Sequence, residues 1–128
     1  MKSKKMVMLA LMFSLMTVQP IYAQPSNTDT SRVGQKNLMK NWALSICFAR
    51  IAIDERTKKD AGATARAYLE NSLQGVEDFE KIGKLVDKYI ALKYDGSDKS
   101  NYDTMKCIDL LHSKELDRLV SSFVKGKR

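Results

Sequence analysis

The sequence predicts an all-α fold, a small bundle of four to five helices with one intrachain disulfide. Three observations predict it. Apolar residues recur at steps of three and four along most of the chain, no stretch alternates apolar and polar residues for long enough to suggest a strand, and two cysteines fall on separate helical stretches. A length of 128 residues leaves room for one domain. With 44% hydrophobic and 29% charged residues, the chain is too apolar for a disordered tail and too charged for a polytopic membrane protein.

The first element is a targeting segment. Lys2, Lys4 and Lys5 precede an apolar run from Met6 to Val18, and Gln19-Pro20-Ile21-Tyr22-Ala23 follows. A basic start, an apolar stretch and a small residue at the end form a secretory signal peptide over residues 1–23, cleaved after Ala23. An uncleaved anchor helix is the other reading, but the run falls short of the roughly 20 apolar residues that span a bilayer. No cysteine follows the cut, which argues against a lipid anchor. The expected product is exported, with no stable membrane insertion after cleavage.

Losing those three lysines takes the formal net charge from +7 to +4. The remaining positive charges alternate with acids along helical stretches, the pattern of a solvated face, so no nucleic-acid partner is expected. Export places Cys47 and Cys107 in an oxidising compartment, where they read as one disulfide. Closing a loop of about 60 residues would stabilise the fold by roughly 4 kcal/mol on the chain-entropy model. Two buried free thiols are the alternative.

Residues 24–31 are polar without apolar periodicity and read as a mobile leader, and residues 32–128 form the single helical domain. From Leu38 a stripe of Leu38, Trp42, Ile46, Ala49 and Ile53 marks a first amphipathic helix, with Cys47 at its edge. Thr57 and Asp60 have capping-box spacing and predict the start of a second helix. Its stripe runs through Ala65, Leu69, Ser72, Val76, Phe79, Gly83, Val86 and Ile90 without losing phase, which favours one long helix from Lys58 to Lys93, bent near Gly75. Tyr94-Asp95-Gly96-Ser97-Asp98-Lys99 has turn chemistry and no periodicity, so it forms a surface loop. Ser100 and Asp103 repeat the capping spacing before a short helix with Tyr102, Met105, Ile108 and Leu111 inward and Cys107 alongside. Ser113 caps a last helix that buries Leu116, Leu119, Val120 and Phe123, and the basic tail from Lys125 to Arg128 frays.

Groups for catalysis are few. His112 is the only histidine, and oxidised cysteines serve neither as nucleophiles nor as metal ligands. Adjacent acids such as Asp54 with Glu55 and Glu77 with Asp78 point about 100° apart on a helix and read as solvated charges. There is no glycine-rich phosphate loop, serine elbow or zinc spacing. The chain therefore reads as a binding protein without enzymatic activity, metal or cofactor. Its candidate contact groups lie in the loop: Tyr94, Asp95, Gly96, Ser97, Asp98 and Lys99. The plainer reading is that this stretch only joins two helices.

Three segments carry a resemblance: Asn41-Trp42-Ala43-Leu44-Ser45-Ile46-Cys47, Lys93-Tyr94-Asp95-Gly96-Ser97, and the fifteen residues from Met105 to Leu119. Together they resemble the type VI secretion amidase immunity proteins that neutralise the fourth family of amidase effectors, with similarity from about Leu38 to Val124. The resemblance implies a periplasmic antitoxin whose partner is a cognate papain-like cysteine amidase that cuts peptidoglycan stems. It also implies a homodimer and a protruding loop that enters the effector's catalytic groove. The dimer interface is placed on the outer flank of the long helix, around Tyr68, Leu69, Leu73 and Val76, although these residues equally read as core.

A periplasmic acid-stress chaperone is the alternative, since it too can be a small exported helical dimer with one disulfide. It should expose broad apolar surface when its dimer opens at low pH, whereas an immunity protein should bind one partner tightly at neutral pH. An inhibitor of host lysozyme would share the occluding logic with another target.

Overall fold

The computed structural model describes residues 29–125. The expected signal peptide, most of the leader and the last three residues lie outside the described residues. Five helices follow in order: α1 (Arg32–Ile51), α2 (Glu55–Glu70), α3 (Val76–Ile90), α4 (Asp103–His112) and α5 (Lys114–Lys125). No strand occurs among the described residues, and none of their helices is long and apolar enough to cross a membrane.

Helix α1 is the hub, packing against all four others, whereas α2 packs only against α1. Ser31 starts it as the N-cap, its side chain accepting from the Gly34 amide. The buried side is Gln35, Met39, Trp42, Ala43 and Cys47, so the core stripe lies one position round from the expected Leu38, Ile46 and Ile53. Leu38 and Ile46 are half-buried, Ile53 is fully exposed beyond the helix, and Cys47 sits inside the core rather than at its edge.

Asp54, not Thr57, opens α2: its carboxylate accepts from the Thr57 amide at 2.8 Å. That bond, with the one at the Thr57 side chain, holds the Asp54 pKa below its ordinary value of 3.8. The connection from Ala52 to Asp54 is short, and α2 returns along α1 as an antiparallel hairpin. The buried Gln35 shows the return, since its Oε1 accepts from the Leu73 amide and its Nε2 donates to the Asp29 carbonyl.

The single long helix expected from Lys58 to Lys93 is two helices. The chain breaks between Asn71 and Gly75, where Gln35, Ser72 and the Gly75 carbonyl take up amides that a continuous helix would pair internally. Glu77 and Asp78 occupy the first turn of α3, favourable at the positive end of its dipole. Apolar phase survives the break because both helices turn a face toward α1, which hides the break from periodicity alone.

Helix α3 packs edge to face on α1 through Phe79 and Trp42, ring centroids 5.0 Å apart and planes at 69°. Farther along, Arg50 donates to the Gly83 carbonyl and to Asp87, both at 2.8 Å. Ile82, Val86, Leu110, Leu116 and Val120 complete a core with essentially no exposed surface. The expected disulfide is present: Cys47 and Cys107 join α1 to α4 with Cα atoms 5.7 Å apart.

Helix α4 corrects the expected register. Cys107, Leu110 and Lys106 are its buried residues, while Met105 and Ile108 are 48% and 46% exposed. A lysine at a buried position masked the pattern: Lys106 Nζ donates to the Ile90 carbonyl at 3.1 Å and to Asp103 at 2.8 Å. Ser113 does cap α5, accepting from the Leu116 amide at 3.0 Å, and Leu116 and Val120 are buried with Leu119 and Phe123 packed against them.

Candidate functional site

The loop runs from Ala91 to Tyr102, between the end of α3 and the start of α4. Its two ends are tied to α4. At the α3 end, Lys106 holds the Ile90 carbonyl, and Tyr94 donates its hydroxyl to Asp109 Oδ2 at 2.7 Å. This hydrogen bond to a carboxylate raises the Tyr94 pKa above its ordinary value of 10.0, with burial acting in the same direction. Tyr94 is half-buried, so its ring and hydroxyl brace the loop from below.

The remaining candidates form the exposed crest. Asp95, Gly96, Ser97, Asp98 and Lys99 are all exposed. The side chains of Asp95, Ser97, Asp98 and Lys99 make no hydrogen bond or ion pair among the described residues, which leaves two carboxylates, a hydroxyl and an ammonium available to a partner. Asp95, Gly96, Asp98 and Lys99 line a shallow polar concavity with Tyr94, Ser100 and Asn101, and Ser97 lies outside it.

Ser100 does not cap α4. Its hydroxyl accepts from the Tyr102 amide, and its own amide donates to the Asp98 carbonyl at 2.9 Å. Tyr102 occupies the N-cap position instead, with a left-handed backbone at φ 52° and no side-chain cap. Its ring turns back under the loop, where the hydroxyl meets Gly96 so closely that a Cβ there would collide with it. Gly96 does not have a positive φ, so its lack of a side chain serves close approach rather than a left-handed turn.

A second concavity lies between α3 and α5. Lys81, Lys84, Lys88 and Arg118 surround a floor that includes Leu85 and Leu119. Lys88 pairs with Glu115 at 2.8 Å, Lys81 pairs with Asp78 at 3.6 Å and lies over the Phe123 ring, and Lys84 and Arg118 have no such partner among the described residues. These cations line one groove together with Glu115. The lysine spacing 81, 84, 88 was a readable signal for one helix face, but Arg118 joins it only through folding.

The four proposed interface residues divide. Tyr68 and Leu69 are half-buried and pack against the core, whereas Leu73 and Val76 are 50% and 62% exposed at the α2–α3 corner. Among the described residues no group of three or more histidine, cysteine, aspartate or glutamate side chains is placed to hold a metal, and His112 is exposed at the end of α4.

Residues 37–120 match the family model of Tai4, type VI secretion system (T6SS) amidase immunity protein. Solved structures agree. A chain from the effector–immunity system Tae4/Tai4 of Salmonella typhimurium is 50% identical, over 67% of this chain and 85% of that one, with a TM-score of 0.64. A chain from the Tae4–Tai4 effector–immunity complex of Enterobacter cloacae is 28% identical over 76% of this chain and 96% of that one, at 0.63. A third, from a study of type VI-secreted toxins and self-resistance proteins of Serratia marcescens, is 36% identical over 67% and 71%, also at 0.63. No curated protein matches. The family model covers well over half of the chain, so this chain belongs to the type VI secretion system amidase immunity proteins.

Proposed function

We propose that this protein is a periplasmic immunity protein that binds a cognate peptidoglycan amidase effector and occludes its active-site groove with the loop from Tyr94 to Lys99. The carrying observation is the loop itself: a crest of uncommitted polar side chains on a base tied to α4 by Tyr94–Asp109 and Lys106–Ile90. A groove that binds peptide stems is lined by polar groups and backbone, which such a crest can meet by hydrogen bonding at low ordering cost. The similar structures from Salmonella typhimurium and Enterobacter cloacae are effector–immunity systems of this kind, which supports an amidase as the partner. The buried disulfide fits an exported protein. No catalytic activity of its own is part of this reading.

The protein acts as a homodimer, with the exposed pair Leu73 and Val76 on the shared face. A chaperone would need a broad apolar surface, whereas the exposed large apolar side chains here are spread over several elements: Val33 on α1, Ile53 after it, Leu73 with Val76 at the α2–α3 corner, Leu92 in the loop, and Met105 with Ile108 on α4.

The experiment is inhibition of the purified cognate amidase on peptidoglycan stems at neutral pH, with lysis protection on co-expression from the neighbouring gene. Stoichiometric inhibition supports the reading. Full amidase activity in the presence of excess protein, together with suppression of aggregation of unrelated proteins at low pH, would favour the chaperone.

A further inference from the structure

We propose that Tyr102 is a positioning residue whose hydroxyl holds Gly96 to Asp98 in the shape that meets the effector, so that the loop binds as a preformed element. The inference rests on the reading that this loop enters the amidase groove. Tyr102 is the one non-glycine residue with positive φ among the described residues. A tyrosine gains nothing locally from a left-handed backbone, which costs free energy because Cβ crowds the carbonyl, and it supplies no side-chain cap to α4. What the conformation achieves is direction, turning the ring away from the helix and under the loop. There the hydroxyl accepts from the Asp98 amide at 3.2 Å and donates to the Asp98 carbonyl at 3.4 Å. The same oxygen seats against Gly96, where any side chain would displace it.

The contacts continue around the ring. The Tyr102 amide donates to Ser100 Oγ, and the Ser100 amide donates to the Asp98 carbonyl, so Asp98 is held from two sides. The Asp95, Ser97, Asp98 and Lys99 side chains stay uncommitted while the backbone beneath them is fixed. Affinity falls by the fraction of molecules in the competent conformation, so a brace that raises this fraction strengthens inhibition without touching the effector.

The test uses the full mature chain with Tyr102→Phe, Gly96→Ala and both together. It measures inhibition of the cognate amidase, the unfolding temperature and exchange of the Asp98 amide. Tyr102→Phe keeps the ring and the fold, and is expected to weaken inhibition about threefold to tenfold, the range of one net hydrogen bond, and to speed Asp98 exchange by a similar factor. Gly96→Ala should do the same by displacing the hydroxyl, and the double variant should be no worse than the weaker single. Inhibition by Tyr102→Phe equal to the parent's, or weakened inhibition without faster Asp98 exchange, overturns the proposal. A Gly-Ser replacement of Asp95 to Lys99 separates this failure from that of the underlying reading. If that linker inhibits as well as the parent, the loop makes no contact and both readings fall; if it alone loses inhibition, the loop reading stands and the brace falls.

Discussion

Cys47 on α1 is bonded to Cys107 on α4, and the turn of α4 around Cys107 carries Lys106 and Asp109, the two side chains that tie down the α3 end of the loop. The disulfide thus fixes the base of the candidate site to the hub helix. Both sulfur-bearing residues are fully buried, so cross-linking restricts the unfolded chain over a separation of 60 residues and anchors α4 at the same time. Replacing both cysteines by alanine is expected to lower unfolding stability by roughly 4 kcal/mol and to speed amide exchange in the loop. Denaturant unfolding with intact mass as the check for two missing hydrogens in the parent measures this, and an unchanged midpoint would count against a structural disulfide.

Replacing Asp95 through Lys99 by a Gly-Ser linker is expected to weaken amidase inhibition by at least ~2 kcal/mol, about thirtyfold, because a few anchors carry most of such an interface. The five residues are exposed, and the ties at Tyr94 and Lys106 lie outside the replaced stretch, so the melting temperature should stay nearly unchanged. Inhibition at the parent level would reduce the loop to a connection and move recognition to the helix faces.

The bond from Tyr94 to Asp109 gives the loop base a pH dependence with a definite sign. The folded pKa of Tyr94 lies above the ordinary 10.0 because its hydrogen bond to the Asp109 carboxylate needs the phenol protonated. Its stabilising contribution is therefore complete below about pH 10 and disappears as pH rises through the raised folded value. Asp54 runs the other way: its carboxylate holds the Thr57 amide with a lowered pKa, so the stabilisation is present above about pH 4 and lost as pH falls through the folded value. The expected result is a phenolate absorbance step above the ordinary tyrosine range in the parent that is missing in Tyr94→Phe. The stability gap between the two proteins should close on the alkaline side. A gap that persists into strong alkali would show that the ring alone, not the hydroxyl, supports the loop.

Much of this fold was legible in the sequence, and the parts that were not share a cause. Helix-forming periodicity, the Ser113 cap, the loop and the cysteine pair depend on residues close in sequence or on composition, which a single chain displays openly. The break at Asn71 to Gly75 was hidden because both flanking helices face α1 and keep a common phase, and its fixing residue, Gln35, lies 38 residues away from Leu73. The register of α4 was hidden by a buried lysine whose acceptors, the Ile90 carbonyl and Asp103, exist only after folding. At the site, Tyr94 and Gly96 were visible as candidates, but their roles were not. Asp109 and Tyr102, the residues that determine those roles, sit on another element or in a backbone conformation that tyrosine rarely adopts.

The homodimer is the prediction that depends most on surfaces. Of the four residues first assigned to its interface, Tyr68 and Leu69 already pack against the core, so their truncation should lower stability whether or not a dimer forms. Leu73 and Val76 expose about half or more of their surface at the corner where α2 gives way to α3, and neither contributes to the buried core. Two apolar side chains left in water at one corner gain by pairing across a two-fold axis, where each meets its own copy. A Leu73→Glu, Val76→Glu variant should keep its helical content and become monomeric by light scattering at tens of micromolar, while the parent stays dimeric. Met105→Glu with Ile108→Glu serves as the comparison, because those residues expose a similar fraction on α4. Should the α4 variant dissociate and the corner variant remain dimeric, the interface lies beside the loop instead; a monomeric parent would remove the dimer altogether.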